Sequence, residues 1–287
     1  MAEVEPLRHP DTLRHPRRHV VQFSSGAGSA VAAKRVAEKY GTENLFLLFA
    51  DVNGEDEDNY RFLHESHEWI GGTLVILDND GQTIWDTFRK ARFLGNSRVD
   101  PCSRMLKREP IRAWMEQNCN PIRTVSYLGF DWLEMDRHER ALPHWAPFTM
   151  QSPLMWEPML DKNEVLTVLK FAGIEPPQLT RDGFPHANCG GGCIKAGIGQ
   201  FAKLLEVRRS TFLEWEANEA GMREFLDKDI AILRDRRGGT SRPLTLTDLR
   251  LRIEGGDTLT DEERADMGAC NCMTPPDNDE ETPWFTA

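Results

Sequence analysis

The chain has 287 residues, 39% hydrophobic and 28% charged, enough apolar material for one large domain or a main domain with a smaller appendage. Its formal net charge of −11 argues against broad, sequence-independent nucleic-acid binding, which needs many phosphate-neutralising cations. The longest apolar run, Leu45 to Ala50, is strand-sized, far short of the ~20 residues that span a bilayer.

Residues 1–18, rich in His, Arg and Pro and without an apolar secretory core, read as a solvated arm, so a cytoplasmic protein with no membrane partner is expected. His19 to Phe23 reads as a buried strand that runs into the small residues Ser24 to Ser29. An alanine-rich helix follows, with Ala30, Ala33, Ala37 and Tyr40 at helical spacing. Leu45 to Ala50 is a second strand ending on Asp51, and the acidic stretch Glu55 to Asn59 opens a helix through about Trp69. Thr73 to Leu77 is a third strand, Ser103 to Gln117 a helix and Thr124 to Gly129 a fourth strand. Strands alternating with helices predict an α/β fold: a parallel sheet with helices on both faces. After about Trp145 the pattern changes. Pro143, Pro147, Pro153 and Pro158 interrupt a loop-rich stretch, followed by a helix near Asn163 to Phe171, a Gly/Cys segment and a helical region from Ile194 to Leu233. The organisation expected is an arm (1–18), a nucleotide-binding α/β domain (19–145), a loop-rich and helical cysteine-bearing region (146–273) and an acidic tail (274–287). Arg234, Arg236, Arg237 and Arg242 read as a solvated basic face or a local basic groove.

A loop of small residues between strand and helix lets several backbone N–H groups meet one anion, with the helix dipole adding to the attraction. The run Ser24-Ser25-Gly26-Ala27-Gly28-Ser29 resembles the PP-loop, usually S-G-G-x-D-S, of phosphoadenosine-phosphosulfate (PAPS) reductases and related sulfurtransferases. Ser24, Gly26 and Ser29 fall on the family positions. Ser25 replaces the first glycine, and Gly28 replaces the customary aspartate, which puts ATP cleavage in question. Asp51, followed by Glu55 to Leu63, resembles the same family's second strand and acidic helix start. Gly129 to Arg140 resembles its glycine-then-arginine segment, in which Arg137 or Arg140 would meet a phosphate or sulfate.

Six cysteines are too few for a secreted disulfide scaffold and, clustered, point to metal or redox chemistry. Cys189 and Cys193 flank three glycines that let the backbone wrap a bulky inorganic centre. Cys102 sits at a predicted helix start, a position that lowers a thiol's pKa. Cys270 and Cys272 lie near the C-terminus, and Cys119 stands alone in an Asn-rich turn. Cys102, Cys189, Cys193 and one of the terminal pair, with Cys272 as the assigned ligand, suit a 4Fe-4S cluster. Zn2+ on four Cys, or on three with His186, is the competing assignment, and unligated thiols the third. The cysteine segments, with Leu94 to Arg104 and Leu233 to Gly239, resemble a branch of PAPS-reductase-like proteins frequent in phages and mobile elements.

That resemblance implies an adenine nucleotide, ATP with Mg2+, held by Ser24, Ser25, Gly26, Gly28, Ser29, Asp51, Gly129 and Arg140. Arg104 and Lys107 would offset developing negative charge and Cys270 would supply a catalytic thiol. The leading expectation is AMP-forming sulfur transfer or nucleobase modification, with a nucleic-acid or nucleoside substrate and a sulfur- or electron-donor protein. The alternatives are thiol-dependent reduction of PAPS, with Cys270 or Cys272 attacking from a mobile tail, and a nucleotide-sensing module that has lost catalysis.

Overall fold

The computed structural model describes residues 17–94, 100–268 and 272–274. Five short, β-rich segments form a sheet: β1 (Arg18–Gln22), β2 (Leu45–Ala50), β3 (Thr73–Leu77), β4 (Thr124–Tyr127) and β5 (Thr149–Gln151). All neighbours are parallel, in the order β3-β2-β1-β4-β5. Successive side chains of a strand point to opposite faces, and both faces are buried along β1, β2 and β4, while the edge strand β3 is partly exposed. Val21, Leu47 and Phe49 pack under helices α1 (Ala27–Tyr40), α2 (Glu57–Ile70) and α7 (Lys162–Phe171), whereas Val20, Leu48 and Ala50 pack under α5 (Glu109–Asn118) and α6 (Met135–Trp145). The predicted parallel sheet with helices on both faces is therefore present.

β2 and β3 have the bounds read from the sequence, while β1 and β4 stop before Phe23 and Leu128. β5 lies in the stretch read as loop-rich, because three residues are too few to show a period of two. The predicted helix at 103–117 starts earlier and is not uniform. A three-residue turn α4 (Pro101–Ser103) runs into a π-helical turn (Arg104–Arg108) before α5. Helix α3 (Ile84–Ala91), closed by a reciprocal Thr83/Asp86 cap, lies outside the elements expected from the sequence. The third apolar core joins α3 to α8 (Gln178–Arg181), α9 (Ile198–Val207), α10 (Arg209–Leu226) and α11 (Leu246–Glu254). An antiparallel pair, β6 (Leu233–Asp235) with β7 (Arg242–Leu244), and a short α12 (Asp261–Ala265) complete this mainly helical part. In the pair, Asp235 binds Arg237 and Arg242, while Arg234 donates to Ser241. Three of the four clustered arginines are thus held by local partners. Among the described residues no helix is long and apolar enough to cross a membrane.

In this strand order the chain leaves β1 toward β2 on one side and returns to β4 on the other. Such a reversal opens a crevice beyond the strand C-termini, where open parallel sheets bind ligands. The loops after β1 and β4 meet there.

Candidate functional site

The loop after β1 is built from hydroxyls turned inward. Ser29 Oγ donates to the Gly26 carbonyl at 2.9 Å and accepts from Gly26 N at 3.2 Å, while Ser24 Oγ donates to it at 3.3 Å. Gly26 caps α1 without any side-chain bond to the helix, so its first turn faces the crevice as backbone. Ser25 has a left-handed φ of 56° and a fully buried side chain whose Oγ donates to the Asn59 carbonyl at 2.8 Å. Gly28 packs against Gly129: a Cβ on Gly28 would lie 2.9 Å from the Gly129 carbonyl oxygen, and a Cβ on Gly129 would lie 2.7 Å from Ser29 N. At this spacing an aspartate cannot occupy position 28 without moving backbone, which is a packing reason for the glycine.

Asp51 ends β2. Its Oδ1 accepts from Tyr60 OH and from Asn53 N, each at 2.8 Å. Burial and the adjacent carboxylate push the Tyr60 phenol well above its ordinary value, so it stays a donor. Asn79 Nδ2 donates to the Asp51 carbonyl at 2.6 Å and to the Leu106 carbonyl at 3.1 Å, tying the sheet edge to the π-helical turn.

That turn separates the two cations expected to act together. Lys107 points inward, 6% exposed, with Nζ 3.6 Å from Glu55 Oε1, whereas Arg104 lies against Glu109 at 3.3 Å, nearer the surface. Arg108, also buried, meets Asp100 at 3.0 Å and donates to the Cys272 carbonyl at 3.0 Å. Lys195 binds the other Asp100 oxygen at 2.9 Å. A small pocket beside Ser24, between the ends of β1 and β2, is lined by Lys107 and closed by Ile111 and Met273.

Cys102, Cys189, Cys193 and Cys272 line one cavity together with apolar Val52, Phe88 and Trp215 and with the polar groups Asp100, Ser103, Lys107 and Lys195. Glycine makes the wrap between Cys189 and Cys193 geometrically feasible. Gly191 holds φ at 88°, and a Cβ on Gly192 would lie 2.2 Å from the Trp215 indole. Cys189 N donates to Glu55 Oε2 at 2.7 Å, and Lys195 N donates to Cys193 Sγ at 3.4 Å. Burial raises the Cys102 and Cys189 thiols well above their ordinary value and takes Cys193 to about 11, each thiol reinforcing its neighbours. The structure corrects the lowering expected at Cys102. A three-residue helix offers little dipole, and desolvation beside Asp100 and two other thiols outweighs it.

Among the described residues no three His, Cys, Asp or Glu side chains are arranged to hold a metal ion. The four cysteines surround a space instead of converging on one point. Four soft thiol donors, an N–H on sulfur and two lysines, with Asp100 and Ser103 also in the lining, form a donor set that could hold a polynuclear cluster. His186, the optional zinc ligand, is not among the cavity-lining residues. It is held near pKa 4 by burial and by neighbouring Arg137, Lys162 and Lys107. Arg137 lies 4.4 Å over the Phe130 ring, and half-buried Arg140 donates to the Asp136 carbonyl at 3.2 Å on its own helix. Cys119 caps α5 against a different core. Cys270 and the Gly95–Ser97 segment lie outside the described residues.

Glu55, Asp100 and Arg108 add buried charge to the site beside Lys107, though no sequence pattern singles out these three individually. Nothing in their neighbours distinguishes them from the exposed acids and bases of helix starts.

No family model matches the chain, and no curated protein matches it. Similar solved structures include phosphoadenylyl-sulfate (PAPS) reductase from Candida auris in a phosphate complex, at 19% identity and TM-score 0.42 over 60% of this chain and 80% of that one. The U34-tRNA thiolase NcsA from Methanococcus maripaludis with its 4Fe-4S cluster is similar at 16% identity and TM-score 0.44, over 76% and 75%. NH3-dependent NAD synthetase from Campylobacter jejuni subsp. jejuni NCTC 11168, in complex with the nitrate ion, is similar at 14% identity and TM-score 0.40, over 76% and 86%.

Proposed function

We propose that this chain is a nucleotide-binding enzyme of the PP-loop type that uses ATP with Mg2+ to activate an oxygen of a nucleobase or nucleoside for replacement by sulfur. The observation that carries this reading is that the pocket beside Ser24 and the four-cysteine cavity share one buried wall residue, Lys107. A phosphate cradle and a thiol centre within reach of one cation are what coupled activation and sulfur transfer require.

In this reading backbone N–H groups of Ser24 to Ser29 and the start of α1 bind the phosphates, with Asp51, oriented by Tyr60, meeting the ribose or Mg2+. The substrate oxygen attacks the α-phosphorus and pyrophosphate leaves; a sulfide then displaces AMP, or a donor protein's persulfide does so and a second donor thiol cleaves the resulting S–S bond, releasing the thio product and leaving a disulfide on the donor. Lys107 offsets the charge that develops on the phosphoryl group, and Arg137 stands on the β4 side of the crevice. Cys102, Cys189, Cys193 and Cys272 would hold a 4Fe-4S cluster with one thiolate on each iron, so that when bound it would tie the cysteine-bearing stretches together and supply redox chemistry beside Lys107. Cys272 belongs to the cavity wall with its carbonyl anchored by Arg108, which supports a ligand role over attack on PAPS from a mobile tail.

The test is anaerobic purification with a visible spectrum and metal analysis, followed by a pyrophosphate-release assay with ATP and candidate nucleosides or RNA. A brown protein with about four irons per chain and substrate-dependent pyrophosphate release is expected. Colourless protein with stoichiometric zinc, or sulfite formation from PAPS and thiol, overturns the reading.

A further inference from the structure

Glu55 is a wholly buried carboxylate whose Oε2 accepts two hydrogen bonds. Cys189 N donates at 2.7 Å from the cysteine segment, and Asn59 Nδ2 donates at 3.3 Å from α2. Asn59, itself 1% exposed, receives the Ser25 hydroxyl on its carbonyl at 2.8 Å and on its Oδ1 at 3.3 Å. A continuous hydrogen-bonded path therefore runs from the phosphate loop through Ser25, Asn59 and Glu55 to the backbone of Cys189. Ser25 stands where the PP-loop pattern has glycine, so this chain has a hydroxyl for that contact. The side chains of Ser25, Asn59 and Glu55 are buried, the path reaching the edge of an open cleft at Glu55 and Cys189, and hydrogen bonds that share an acceptor constrain one another's geometry.

We propose that Glu55 is a positioning residue that couples the phosphate loop to the Cys189–Cys193 segment, so that a nucleotide on the loop orders the segment that lines the thiol cavity. This rests on the nucleotide reading above. A ligand that fixes Ser25 restricts Asn59, which restricts the carboxylate that holds Cys189 N. By linkage, ordering the cysteine segment tightens nucleotide binding by the same factor.

Hydrogen exchange of the full-length protein, with and without ATP and Mg2+, tests it, with ATP binding measured in parallel by equilibrium dialysis. In the wild type, ATP is expected to slow exchange in the 187–193 peptide about fivefold or more, the lower end of ordinary coupling between sites. Asn59→Ala and Glu55→Ala should still bind ATP but show less than about twofold ATP-dependent slowing. Glu55→Gln keeps an acceptor for Cys189 N and should retain the effect. A purely structural role would raise baseline exchange in these variants and leave the ATP-dependent difference intact, and that result overturns the proposal. ATP binding to the wild type with unchanged exchange at 187–193 overturns it while leaving the nucleotide reading standing. Absence of ATP binding removes both. If Glu55→Ala does not fold, Asn59→Ala and Glu55→Gln decide the matter.

Discussion

At position 28 the absent side chain is enforced by a neighbouring backbone. The Gly129 carbonyl lies where a Cβ would go, so the missing aspartate reflects close packing of the loops after β1 and β4. Gly28→Ala should lose about 1–3 kcal/mol of stability, as overpacked sites do, measured by urea denaturation. His19 gives a second residue-scale expectation. It is held near pKa 4 by burial and by Arg17, with Nδ1 2.8 Å from Tyr127 OH. The unfolded chain, with His near 6.5, takes up protons that the folded chain refuses. Stability from this group is complete above pH 6.5 and is lost as pH falls toward 4. His186 is depressed in the same sense. The Tm should fall between pH 7 and pH 5, and His19→Gln should flatten that fall in a scan of Tm against pH.

At the scale of elements, the π-helical turn Arg104–Arg108 decides which basic residues serve the site. One extra residue in a helical turn rotates the side chains beyond it about the helix axis. Here Lys107 and Arg108 face the interior and Arg104 faces Glu109. Sequence alone gives Arg104 and Lys107 the same role and does not mark Arg108. Lys107→Met should weaken ATP binding tenfold or more, about 1.4 kcal/mol. It should also destabilise the fold by leaving Glu55 buried without its cation. Arg104→Ala should change ATP affinity less than about twofold, since exposed pairs contribute little. Calorimetric titration of both variants with ATP distinguishes the two roles, and equal losses would reject the assignment.

At the scale of the whole molecule, the thiol cavity is assembled from three distant stretches: Cys102 before α5, Cys189 and Cys193 before α9, and Cys272 beyond α12. A centre bound there cross-links them, and its binding free energy adds to the stability of the folded state. Stripping iron with a chelator under mild oxidation should lower the Tm and raise the proteolytic sensitivity of the 272–274 region. Cys272→Ser should do the same while ATP binding persists. An unchanged Tm on metal removal would argue against a resident cluster.

Local sequence by itself determined the parallel α/β architecture, because short, continuously apolar strands alternating with helices pack as a parallel sheet covered on both faces and in few other ways. It also marked the small-residue loop at Ser24 to Ser29 and the glycine-spaced pair Cys189 and Cys193, whose composition has a local physical cause. Tertiary structure alone decided that Gly28 meets Gly129, that Lys107 is shared between two cavities, and that Glu55 joins the phosphate loop to Cys189. It also added β5 and the π-helical turn, and it reversed the expected effect on the Cys102 thiol. Each of these depends on which groups are removed from water together, a property of contacts between residues far apart in the chain that no local pattern encodes.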